Sequence, residues 1–136
     1  MAEPVLHGPA REFLEVPRRF ATLATINPDG SPLQAVLWYA LRGDAILVNS
    51  RVGRRWPSNL LRDPRASFTA EDGYDYVAVR CEAEAIDDPV QGLADISQLA
   101  RAYHPPEKAE QIIRDTFSAQ QRISFLLRPR SVLIHA

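Results

Sequence analysis

Lysine is nearly missing from this chain: 15 of its 16 basic residues are arginine, and the 17 acidic residues leave a net charge of −1. That balance excludes a general nucleic-acid binder and a polybasic membrane-surface protein. Cysteine is almost as scarce. Cys81 alone can neither close an intrachain disulfide nor build a cysteine cluster for zinc, and a reducing interior is its natural setting. His7, His104 and His135 are scattered, none at ligand spacing with another histidine or with cysteine, so no metal site is expected. Gly-x-Ser-x-Gly and Walker sequences are absent, which argues against a serine hydrolase and a P-loop enzyme. No stretch approaches eighteen apolar residues, and Met1 to His7 lacks a charged segment followed by an apolar one. The expectation is a cytoplasmic protein without a membrane partner.

What is present suits one domain over residues 1–136, with 46% hydrophobic and 24% charged residues and 11 prolines. A domain of this size buries roughly 65 to 70% of its unfolded surface and can gain further from a second subunit. Charge is unevenly spread. Residues 1–70 carry nine arginines against six acids, a balance of +3, and residues 71–136 carry seven basic against eleven acidic residues, a balance of −4. Arg51, Arg54, Arg55, Arg62 and Arg65 are opposed within their stretch only by Asp63.

The periodicity predicts mostly strands. Residues 9–16 read as a short helix between Pro9 and Pro17, with Phe13, Leu14 and Val16 on its inner side. Residues 20–27 and 33–41 are strand-like runs joined by Pro28-Asp29-Gly30, a hairpin signal in which Pro presets φ and Gly accepts positive φ. A third strand covers 45–50, a short helix starts at Pro57, and a fourth strand covers 65–71. The clearest alternation is 76–87, with Val77, Val79, Cys81, Ala83 and Ala85 on one face and Arg80, Glu82 and Glu84 on a wet face. A helical insertion over about 89–119, broken at His104-Pro105-Pro106, precedes a closing strand at 122–134, where Pro129 marks an edge or a bulge. Five or six antiparallel strands without βαβ alternation predict a mainly β fold, a small antiparallel barrel with peripheral helices.

The segment richest in chemistry runs from Asn49 to Pro64, where a strand ends in polar residues, a basic glycine-containing loop follows and a helix begins. Hydroxyl, guanidinium and helix N-terminal N–H groups would suit a phosphate there. Composition alone fits a solvated arginine-rich loop equally well.

The ordered set Ala24-Thr25, Pro28-Asp29-Gly30-x-Pro32, Trp38-Tyr39, Val48-Asn49-Ser50, Gly53-Arg54, Asn59-Leu60-x-Arg62-Asp63-Pro64-Arg65 and the strand from Tyr76 to Glu84 resembles the pyridoxamine-phosphate-oxidase-like split β-barrel superfamily, especially its F420-dependent branch. The match covers about Phe20 to Glu84 and resumes at Arg122 to Ile134. The resemblance implies a homodimer with coenzyme F420, FMN or, less often, haem in clefts between subunits. It implies phosphate contacts from Ser50 and Arg54, a helix-orienting or cofactor-side role for Asn59, and Asn49 at the same strand end. Gln34, Val36 and Trp38 would lie on the strand that passes the cofactor ring.

Two positions depart from the pattern. Trp56 stands where relatives carry a lysine; it cannot neutralise a phosphate but could cover a ring face or shield the site, leaving Arg55 to supply the second charge. Cys81 replaces a common glycine, and with no neighbour to stabilise a thiolate it reads as structural. The implied function is an F420-dependent oxidoreductase passing hydride to a small electron-poor molecule. FMN-dependent chemistry and non-catalytic binding of a flavin, deazaflavin or tetrapyrrole are the alternatives. No side chain is assigned as catalytic, with Tyr39 the one candidate proton donor.

Overall fold

The Pro28-Asp29-Gly30 turn closes the first hairpin as its residues require. Gly30 takes φ 89°, a region that favours glycine, and the Asp29 carboxylate accepts from the Ser31 N–H at 3.0 Å. A computed structural model describes residues 4–136. Residues 1–3, included above in the single domain and in the N-terminus read as leaderless, lie outside the described residues.

In chain order the elements are α1 (Gly8–Glu15), β1 (Ala21–Ile26), β2 (Pro32–Leu37), β3 (Ala40–Arg42), β4 (Ala45–Arg51), α2 (Arg55–Arg62), β5 (Arg65–Asp72), β6 (Asp75–Ile86), α3 (Pro89–Tyr103), α4 (Pro106–Asp115), a 3-10 turn (Phe117–Ala119) and β7 (Arg122–His135). The strands form one antiparallel sheet in the order β2-β1-β5-β6-β7-β4-β3. Its two edge strands, β2 and β3, are consecutive in the chain, and only Trp38 and Tyr39 separate Leu37 from Ala40. Three peptide steps span at most about 11 Å, so the sheet must curl until its edges meet. The result is a split β-barrel whose seam lies at Trp38-Tyr39.

The single run expected over 33–41 is therefore two strands, and the sheet has seven strands rather than five or six. No proline or glycine marks the break; barrel closure imposes it. Pro129 takes the bulge reading, with a register shift in β6 between Arg80 and Cys81 opposite Ser131 and Pro129. Helix α2 begins at Arg55 rather than Pro57, with Arg54 as its N-cap. In α1 the buried side chains are Ala10 and Leu14, while Val16 lies beyond the helix, exposed.

Leu23, Phe68, Val77, Val79, Phe125 and Leu127 fill the barrel, closed below α1 by Leu6 and Leu14 and below α2 by Trp56 and Leu60. A second cluster, with Ile96, Leu99, Ala100, Ala109 and Phe117, lies between the helical insertion and the outside of the seam. Between them β4 is buried on both faces from Ala45 to Ser50. No helix among the described residues is long and apolar enough to cross a membrane.

α3 reaches β7 at Gly92, where a Cβ would stand 2.3 Å from the Arg122 carbonyl oxygen. Alanine is the better helix former by about 1 kcal/mol, yet overpacking typically costs about 1 to 3 kcal/mol. Gly92→Ala is expected to lower stability in urea by about 2 kcal/mol, and an unchanged or raised midpoint would contradict so close an approach.

Candidate functional site

A cleft of about 290 Å³ opens where the seam, the ends of β4 and β7 and the helical insertion meet. Its apolar wall includes Phe20, Val36, Leu37, Ile96 and Leu99, and its polar end is made by Asn49, Ser50, Arg54 and Arg122. Trp38 and Phe117 complete the wall. A wider groove of about 530 Å³, over the outer face of β1, β2 and β5, shares Phe20 and Val36 with it and contains Gln34.

Of the residues expected at the site, the cleft thus gathers Val36, Trp38, Asn49, Ser50, Arg54 and Trp56. Val36 is 72% exposed, an unusual position for valine and unlike a core residue. Trp38 stacks on Tyr103 at 5.3 Å between ring centres and meets His104 and Phe117 edge to face. Trp56 is 5% exposed and packs against Phe125, so it belongs to the core and offers the cleft little of its ring.

Arg55 and Asn59 do not join the others. They border a separate groove with Asn27, Asp29, Ser58 and Arg62. Asn59 spends its amide hydrogens on Thr25 Oγ1 and Asn27 Oδ1 and accepts from Arg62, tying α2 to the first hairpin. Tyr39 also lies elsewhere: its hydroxyl donates to the Leu14 carbonyl at 2.8 Å beneath α1, and burial raises its pKa far above the ordinary value. It is not placed to protonate anything in the cleft. Cys81 is buried, and burial pushes its thiol up to about 12, which fits the structural reading.

Sequence reasoning passed over Arg122. Strand β7 turns Arg122 and Ser124 towards α3 while Phe125 and Leu127 enter the barrel. Arg122 is 9% exposed, its guanidinium stands 4.7 Å over the Phe117 ring, and it donates from Nε to Asn49 Oδ1 at 3.0 Å and from Nη1 to Gln120 Oε1 at 2.8 Å. Both acceptors are neutral, and among the described residues no carboxylate reaches ion-pair distance. Desolvation and the nearby charges of Arg54 and Arg51 push its pKa down to about 10, still protonated at neutral pH.

Behind Arg122 runs a buried polar chain. Asn49 Nδ2 donates to the Gly92 carbonyl and to Ser124 Oγ, both at 2.9 Å, and Ser124 Oγ donates to Asp95 Oδ2 at 2.7 Å. Asp95, 1% exposed, also accepts from Arg42 at 2.9 Å and from Gln91 at 2.7 Å. A trace of this was legible: Asp95 interrupts the apolar stripe of α3 beside Ile96 and Leu99. Burial by itself would raise the Asp95 carboxyl, but the hydrogen bonds from Arg42, Ser124 and Gln91 outweigh it and leave its pKa below 3.8.

A carboxyl depressed in the folded state contributes stability that is complete above its unfolded pKa and lost as pH falls through the folded value. Asp95→Asn is expected to cost about 2 kcal/mol at pH 7, the scale of hydrogen bonds to a charged group. The deficit should shrink below about pH 4. Thermal melts from pH 7 to 2.5 measure it, and a deficit independent of pH would contradict the role given to the charge.

The profile of the family described as pyridoxamine 5'-phosphate oxidase matches residues 6–123. Among solved structures, an F420 reductase is 24% identical, with 90% of this chain and 94% of that one covered at a TM-score of 0.70. A conserved hypothetical protein from Mycobacterium tuberculosis is 23% identical, with coverages of 97% and 86% and a TM-score of 0.70. The heme storage protein HutZ from Vibrio cholerae is 20% identical, with coverages of 95% and 94% and a TM-score of 0.69. No curated protein sequence matches significantly. These likenesses establish the fold, and the profile match establishes the family: the chain belongs to the pyridoxamine 5'-phosphate oxidase family.

Proposed function

We propose that the chain is an F420-dependent oxidoreductase that holds the deazaflavin coenzyme in this cleft and passes hydride to a small electron-poor molecule such as an enone or quinone. The observation that carries the reading is the polarity of the cleft: unpaired arginine charge and a serine hydroxyl at one end, an aromatic and aliphatic wall at the other. Such a site fits a ligand with an anionic head and a planar body. In its reduced form the coenzyme supplies the hydride, and the protein supplies binding, orientation and exclusion of water.

Each side chain has a distinct part. Arg54 is exposed, and its side chain has no hydrogen bond or ion pair among the described residues, which leaves it to meet a phosphate. Among the described residues the Ser50 hydroxyl donates only in a long 3.4 Å contact to the Arg51 carbonyl, readily exchanged for a phosphate oxygen. Val36 and Phe20, 72% and 57% exposed, present apolar surface to a ring, and Gln34 offers an amide from the adjoining groove.

At about 290 Å³ the cleft is small for a whole cofactor, which accords with a site completed by a second copy. The outer face of β1, β2 and β5, with its exposed Val36 and Phe20, is the surface that this homodimer would cover. The free Cys81 accords with a reducing, cytoplasmic setting. FMN would use the same anionic anchorage. The likeness to a heme storage protein supports non-catalytic tetrapyrrole binding as the other reading, although no histidine lines the cleft.

Titration of the purified protein with F420, FMN and haem in turn, followed by absorbance and tryptophan fluorescence, separates these readings. F420 is expected to quench the fluorescence, and Trp38→Phe to remove most of that quenching while Trp56→Phe removes little, because Trp56 is buried against Phe125. Sedimentation at micromolar concentration is expected to give twice the 15.2 kDa chain mass. Binding of haem or FMN without F420, or a clean monomer, would overturn the corresponding part of the proposal.

A further inference from the structure

We infer that Arg122 is the second anion-binding cation of the cleft, in the role that sequence reasoning gives to Arg55, and that Asn49 is the positioning residue that holds its guanidinium. The inference deepens the cofactor reading, and rests on it only in taking the anion to be the phosphate of a flavin or deazaflavin.

Three observations support it. Trp56, the residue after the two loop arginines, is an uncharged ring buried against Phe125, so the loop supplies no further charge from that point. Arg55 faces a different groove, beside Asn59 and Arg62. Arg122 lines the same cleft as Ser50 and Arg54, nine-tenths buried, with neutral hydrogen-bond partners and, among the described residues, no carboxylate to balance it. A buried cation without a counterion is costly, and a bound anion offsets that cost through charge-assisted hydrogen bonds.

The orientation of Arg122 is dictated by the chain behind it. Asp95 can only accept, so Ser124 Oγ must donate to it and is left to accept from Asn49 Nδ2. The Gly92 carbonyl takes the other amide hydrogen. Asn49 therefore cannot turn over: its oxygen is fixed towards Arg122 Nε. The Asp95 charge is spent on Arg42, Gln91 and Ser124, which leaves the Arg122 charge uncancelled.

Gln120 provides a sharp test, because it accepts from Arg122 Nη1 at 2.8 Å and glutamate is nearly isosteric with it. Gln120→Glu would place a carboxylate on Arg122, satisfying the buried cation while removing its attraction for an anion. Binding of inorganic phosphate is measured from the rise in Tm with concentration in the native protein, Gln120→Glu, Arg122→Gln and Arg55→Gln. Gln120→Glu and Arg122→Gln are each expected to weaken phosphate binding about tenfold. Gln120→Glu should do so with a ligand-free Tm at or above the native value, and Arg55→Gln should bind as the native protein does.

Native phosphate affinity in Gln120→Glu, loss confined to Arg55→Gln, or no binding by the native protein at 50 mM phosphate would overturn the inference. The same variants titrated with F420 and FMN keep the two claims apart. Cofactor binding undiminished in Gln120→Glu sinks the role of Arg122 and leaves the cofactor reading standing. Phosphate binding lost in Gln120→Glu, in a protein that binds neither cofactor, does the reverse.

Discussion

A two-residue link between opposite edges of a seven-stranded sheet governs the rest of this molecule. Because Leu37 ends β2 and Ala40 begins β3, the sheet has no freedom to remain open. Adjacent residues of extended chain point to opposite sides, and the link uses both. Tyr39 goes inward, its ring edge-on to Phe68 at 5.0 Å, while Trp38 goes outward to the helical insertion. A seam also breaks ladder hydrogen bonding, and the Tyr103 hydroxyl repairs part of that loss by accepting from the Tyr39 N–H at 3.2 Å and donating to the Arg19 carbonyl at 2.5 Å. The same outward turn of Trp38 makes one wall of the cleft. The link that closes the barrel thus also builds a wall of the cleft.

The helical insertion has a second attachment, and its chemistry is polar. Ile96, Leu99 and Ala100 of α3 belong to the apolar cluster that includes Trp38 and Ala40, but at Gly92 the helix backbone comes close enough for its carbonyl to take a hydrogen bond from Asn49. Around that point Asp95, Ser124, Asn49 and Arg122 satisfy one another, and no buried side-chain nitrogen or oxygen among the described residues lacks a partner. A fully satisfied buried network rigidifies and specifies one arrangement, whereas a partly satisfied one destabilises. Here the fully buried polar atoms are paired, while the charge of Arg122 meets no carboxylate among the described residues.

Local signals were legible where short-range physics decides. The Pro-Asp-Gly hairpin, the alternation of β6 and the proline-marked break between α3 and α4 all follow from φ preferences and periodicity. The break at Trp38-Tyr39 was not legible, because an unbroken apolar run carries no record of where a barrel must close. At the cleft, the arginine-rich loop drew attention to Ser50 and Arg54, which the structure brings together, whereas the helical turn of α2 carries Arg55, their neighbour in sequence, to another face. Arg122 lies far along the chain and enters only because β7 pairs with β4, setting Arg122 opposite Arg51 and Ser124 opposite Asn49. Trp56 could, by residue type alone, cover a ring face or shield the site; its burial follows from the apolar side of α2, which it shares with Leu60.

A phosphate-binding lysine on a loop and an arginine on a strand also differ in when their costs fall. A flexible lysine keeps its rotamer freedom until the ligand arrives and then loses up to about 2 kcal/mol of it on binding. Arg122 is already ordered by Phe117, Asn49 and Gln120, so that entropy is lost in folding instead. The guanidinium is also desolvated in advance, which destabilises the free protein and strengthens its attraction for an incoming anion. On this reading, Trp56 gives the loop core packing where a lysine would give a solvated charge, and Arg122 would supply the charge from a rigid strand. The free protein is then strained electrostatically at the point where the ligand binds, and the buried surface of Trp56 contributes to the folding stability that tolerates it.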